Sequence, residues 1–130
     1  TLNADNENSW FVEKFIMLMR TAYARDVKAL KRWTDDVSGF GREKQRRMLT
    51  YFSRMVRENF MYNFHNTDLN YMSIEEEQFS RRFAPFINEA NVIELSELLE
   101  LAYRDIGQNA NAKIVFYDMS LKMIVLLLKR

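Results

Sequence analysis

Side chains able to do covalent chemistry are scarce in this sequence. His65 is the only histidine among 130 residues, and there is no cysteine. A general base needs a nucleophile or a substrate proton within hydrogen-bond reach. No nucleophile stands at a recognisable spacing from His65, so it reads as an ordinary surface residue. Without cysteine there can be no disulfide and no thiolate metal site, a composition that suits the cytoplasm. The run Glu75-Glu76-Glu77 could gather a cation, but carboxylates also crowd the first turn of a helix because they suit its dipole. The dipole reading is preferred. Gly39-Phe40-Gly41 lacks the strand, the third glycine and the Lys-Ser/Thr of a phosphate loop, and reads as a turn. We therefore expect no catalytic residue, no metal and no cofactor.

Binding chemistry has more to work with. On a helical wheel with Arg46 at zero, Arg42, Arg54 and Arg57, joined by Arg47, fall within roughly 60–100° of it. They lie opposite the apolar arc of Met48, Leu49, Phe52, Met55, Val56, Phe60 and Phe64. Such a stripe could follow a phosphate backbone. Glu43 and Glu58 share that side, however, and no aromatic is interleaved to stack on bases. With 19 Lys+Arg against 18 Asp+Glu, the net charge is +1, which does not mark a dedicated polyanion binder. A solvated face or a docking face for an acidic partner is the preferred reading.

Helices must position these residues. The chain has only 3 Gly and 1 Pro, period-two alternation is absent, and apolar residues recur at helical spacing. Trp10, Phe11, Phe15, Leu18, Ala22 and Tyr23 form a first stripe. Asp26 predicts an N-cap before Val27, Leu30, Trp33 and Val37, with Gly39 as the stop. The third helix runs from about Gly41 to Phe64, and His65 to Met72 reads as a loop. Ser73 with Glu76 predicts a capping box ahead of Phe79 and Phe83, and Pro85 breaks that helix. Asn91 with Glu94 repeats the pattern before Val92, Leu95, Leu98, Leu99, Ala102 and Ile106, with Gly107 as the end. A last helix starts near Asn111. The expectation is an all-α single domain, a bundle of about six helices spanning 1–130.

The last helix is unusually apolar. Between Ile114 and Leu128 only Asp118, Ser120 and Lys122 are polar, and Asp118, Lys122, Lys129 and Asn111 cluster within roughly 40° on the wheel. A run of about 15 residues holding two charges is too short for a membrane span of about 20. A helix apolar nearly all round is covered by its neighbours. Phe116, Met123, Ile124 and Leu127 are expected in the core. Of the two flanks, Val115–Met119–Leu126 and Tyr117–Leu121–Leu128, we expect either that the bundle wraps both or that one meets another protein. Tyr117, Leu121 and Leu128 are the favoured interface, since a tyrosine offers both contact area and a polar tip.

The strings FIMLMRTAYARDVKALKRWTDDVSGFGREKQRRMLTYFSRMVRENFM, LNYMSIEEEQFSRRFAPFINEAN and NANAKIVFYDMSLKMIVLLL resemble the C-terminal domains of bacterial DNA polymerase III delta-prime subunits, members of the clamp loader. The resemblance runs over essentially the whole chain. It is one of overall pattern rather than of a compact motif, and it is to the form found in some anaerobic and gut-type bacterial lineages. It implies a helical collar domain, cut from a longer subunit whose N-terminal AAA+ module is missing. In that family the collar joins five subunits in a ring, and delta-prime is a stationary partner that does not hydrolyse ATP productively. The resemblance thus implies a non-catalytic assembly module for DNA replication. Its partners would be delta and gamma/tau, with the sliding clamp and primer-template DNA met only through the whole complex. The alternative from the residues alone is a free-standing helical nucleic-acid-binding domain using the Arg42–Arg57 stripe.

Overall fold

A computed structural model describes residues 2–64 and 73–129, with side chains from residue 7 onward. Among the described residues there are six α-helices, one 3₁₀ turn and no strand. They are α1 (Leu2–Tyr23), α2 (Val27–Ser38), α3 (Arg42–Tyr62), α4 (Ile74–Phe83), the 3₁₀ turn Ala84–Phe86, α5 (Val92–Gly107) and α6 (Ala112–Leu127). The expected loop from His65 to Met72, with His65 itself, lies outside the described residues.

Most boundaries follow from local chemistry. Asp26 accepts a hydrogen bond from the Ala29 amide at 3.1 Å and opens α2. Ser73 and Glu76 form both halves of the capping box at α4, and Pro85 sits in the 3₁₀ turn that ends it. Asn111 opens α6 by accepting from the Ile114 amide at 3.2 Å. Of the two glycines in the α2–α3 turn, only Gly41 has a positive φ, at 87°. That value is cheap for glycine and strained for other residues.

Gly107 ends α5 as expected, and the left-handed residue beyond it is Asn109, with φ 66°. Three expectations are corrected. Asn91 makes no capping bond. Its side chain is drawn inward, where its Oδ1 accepts from the Asn88 amide and its Nδ2 donates to the carbonyls of Phe86 and Leu126. Phe64 lies past the end of α3 and is exposed. Val27, expected on the buried face of α2, is exposed because it opens the helix at the corner after α1.

The core runs through all six helices. Phe15, Trp33, Phe52 and Phe116, from α1, α2, α3 and α6, are its largest fully buried side chains, and Trp33 meets Phe52 and Phe116 at centroid distances of 6.2 and 6.1 Å. Fully burying such a ring contributes about 1.5–3 kcal/mol. Trp33 is fixed by its indole N–H, which donates to the Lys14 carbonyl at 3.0 Å. Side-chain amides, buried at Gln45 and half-buried at Asn63, close the ends of the elements. Gln45 donates to the last carbonyls of α2, and Asn63 donates to the carbonyls of Ala84 and Ile87. A buried polar group left unpaired costs about 1–3 kcal/mol, so these bonds fix the connections.

Candidate functional site

Two surfaces stood out in the sequence, the arginine stripe of α3 and the flanks of α6. The fold treats them in opposite ways.

The arginines are largely drawn onto internal partners. Arg42 donates to the carbonyls of Ile106 and Ala110 at 3.1 and 3.2 Å, bracketing the C-terminal end of α5. Arg46 stacks over Tyr103 at 4.5 Å and lies against Gly107, where an added Cβ would sit 3.5 Å from the guanidinium. Arg47 grips Glu7 through two bonds of 2.7 and 3.0 Å. That grip holds the Glu7 carboxyl below its ordinary range, the hydrogen bond being the main cause. Arg54 reaches Glu76 at 2.9 Å and Glu58 at 3.5 Å. Arg57 is exposed.

Glu76, read in the sequence as one of three dipole-complementing carboxylates, is a buried hub. It is 2% exposed and accepts from the Ser73 amide, the Tyr51 hydroxyl at 2.6 Å and Arg54. Burial, and then this hydrogen bond, push the Tyr51 phenol well above its ordinary value. Only the capping position of Glu76 was visible in the sequence. Its long-range partners, 25 and 22 residues away, were not.

Helix α6 packs against α1, α2 and α5. Phe116, Met119, Met123, Leu126 and Leu127 are buried, with Leu126 the least so at 8%. Ser120 is buried too, its hydroxyl satisfied by the Tyr117 carbonyl. The flank of Met119 and Leu126 is therefore covered. Ile124, expected in the core, is only half-buried at its edge. The other flank is open. Leu128 is 51% exposed, Val125 59% and Ile114 69%, with Tyr117 and Leu121 half-buried between them. These residues stand at spacings of three, four, four and three, the pattern of a helix seam made for another helix. Asp118 and Lys122 pair with each other beside this stripe at 2.9 Å.

The rims of the stripe differ in charge. Lys113 at the start of α6 reaches Asp35 of α2, and Lys129 at its end reaches Glu94 of α5, so α2 and α5 flank the open face. Lys28, Lys31 and Arg32 of α2 are exposed, as are Glu97 and Glu100 of α5. A row of five largely apolar side chains framed in this way is suited to protein contact. Among the described residues there is no group of His, Cys, Asp or Glu able to hold a metal ion, and no helix long and apolar enough to cross a membrane. No family model, no curated protein and no solved structure matches this chain.

Proposed function

We propose that this chain is a collar domain of a clamp-loader delta-prime subunit, a non-catalytic module through which subunits join in the ring that loads the sliding clamp during DNA replication. The observation that carries this reading is the open stripe Ile114–Tyr117–Leu121–Val125–Leu128 on a helix whose opposite face is buried. Exposed apolar rows of this kind mark contact with another protein. The resemblance of the three long sequence strings to delta-prime collars supplies the identity of the partners, delta and gamma/tau. The sliding clamp and primer-template DNA are then met only through the whole complex, in the cytoplasm.

The test uses the full-length subunit mixed with delta and gamma/tau. Leu121→Gln with Leu128→Gln should leave the melting temperature of this chain within a few degrees of the parent, since Leu128 is 51% exposed and Leu121 is only partly buried. The same pair should weaken co-purification of the ring about tenfold or more, a desolvated apolar anchor being worth at least 1.4 kcal/mol at an interface. Unchanged ring assembly would remove the stripe from the interface. Loss of folding in the isolated chain would place the stripe in the domain's own core.

A further inference from the structure

A second surface lies away from α6. Between α1 and α4 runs an open groove of about 1070 Å³. The two helices run side by side in the same direction, because Phe15 meets Phe79 at 5.9 Å and Tyr23 meets Phe86 at 4.4 Å. An unbroken row of rings forms its floor. Phe79, Phe83 and Phe86 follow one another at 5.0 and 5.4 Å, with the exposed thioether of Met17 along one wall.

The charges along this groove are ordered. Glu13 and Glu75 line one end, and Arg20 and Arg82 line the other. Each helix carries its glutamate seven residues before its arginine, so the opposite charges stand roughly 10 Å apart along either wall. That is too far to pair within a helix, where partners lie three or four residues apart. Among the described residues none of these four has an ion-pair partner, whereas the neighbouring Arg81 is held by Glu77. Two unpaired acids and two unpaired guanidiniums at opposite ends of an aromatic floor form a polarised receptor.

We propose that this groove docks a short amphipathic helix of a partner protein, acidic in its first turn and basic about two turns later, lying antiparallel to α1 and α4. Charge order sets this direction. The acids of the incoming segment meet Arg20 and Arg82, and its basic residues meet Glu13 and Glu75. An α-helix prefers acids at its start and bases at its end, because they offset its dipole. The partner's own preference and the groove's polarity therefore coincide only in the antiparallel sense. Its apolar face, at spacings of three and four, lies over the exposed Met17 and the half-buried Phe86.

The test titrates the 130-residue chain into two rhodamine-labelled peptides of about 15 residues with the same Leu/Phe face, long enough for about four helical turns. One has Asp and Glu in its first turn and Lys and Arg about seven residues later, and the other has these charges exchanged. The acid-first peptide is expected to bind about tenfold tighter or more, with the difference shrinking as salt is raised. Amide chemical shifts should move on α1 and α4. Arg20→Gln with Arg82→Gln should erase the preference, and Arg20→Glu with Arg82→Glu should reverse it, with helicity by circular dichroism unchanged in both. Equal affinity for the two peptides, or no binding to either at millimolar concentration, overturns the proposal. Shifts confined to α6 overturn it as well. So does a concentration-dependent dimer that Arg20→Glu abolishes, since a second copy would then be the occupant. None of these results bears on ring assembly through α6.

Discussion

The basic stripe of α3 and the open apolar stripe of α6 are each a row of similar side chains along one helix face. In the fold they have opposite fates. Arg42, Arg46, Arg47 and Arg54 reach across to α5, to Tyr103, to Glu7 and to Glu76. Ile114, Val125 and Leu128 stay in solvent. Reach and directionality explain the difference. A guanidinium on a long stem carries five donors and finds a carbonyl, a carboxylate or a ring nearby. A leucine can be satisfied only by surface brought over it, and α2 and α5 stop short of doing so. A row of arginines in a sequence is therefore weak evidence for a free basic surface, while an apolar row that the complete bundle leaves open is stronger evidence for a partner.

The sharpest way to break this comparison lies within α6. Leu127→Ala, on the buried side, should cost about 2–5 kcal/mol of unfolding free energy, the transfer loss plus a cavity. Leu128→Gln, one residue on, should change it by about 0.5 kcal/mol or less. Paired urea titrations of the two variants measure the contrast. Equal losses would mean that the stripe is part of the core.

Next in size are the partners of Glu76. Tyr51→Phe or Arg54→Ala should each cost about 1–3 kcal/mol, because a buried carboxylate loses a donor. Tyr51 also carries a pH signature. Its folded pKa is raised, so the folded chain holds the phenol proton more tightly than the unfolded chain does. That contribution is complete below the ordinary value of 10.0 and declines as pH rises above it. Thermal melts between pH 9 and 11 should fall less steeply for Tyr51→Phe than for the parent. Identical slopes would contradict the buried phenol.

Smaller still is the bracket on α5. Arg42→Ala frees the carbonyls of Ile106 and Ala110 and should cost about 1 kcal/mol, seen as faster amide exchange in the last turn of α5. The smallest effect belongs to Arg57, where Ala should leave stability unchanged within error. If the stripe is spent on internal partners, the isolated chain should bind labelled single- or double-stranded DNA no tighter than about 10⁻⁵ M at physiological salt. Sub-micromolar binding lost on Arg46→Ala and Arg57→Ala would restore the nucleic-acid reading.

The amino-acid order by itself determined the all-α class, the number of helices and most of their ends. Those are decided by contacts within a few residues: the Asp26, Ser73 and Asn111 caps, the Pro85 break and the 3.6-residue apolar period. It also showed that α6 was too apolar for an ordinary surface helix. Tertiary structure alone decided which flank of α6 stays open, since Met119 and Leu121 are alike in hydrophobicity and differ in what the packed helices place beside them. It likewise turned Asn91 from a cap into a buried bracket between the 3₁₀ turn and α6, and Glu76 from a dipole partner into the hub of Tyr51 and Arg54. The same holds for the α1–α4 groove, where Glu13, Glu75, Arg20 and Arg82 acquire an order only when two helices more than fifty residues apart in sequence come to lie side by side. Local pattern fixes what a helix is. Which of its faces remain available depends on neighbours that are distant in sequence, and on whether a side chain is long enough to reach them.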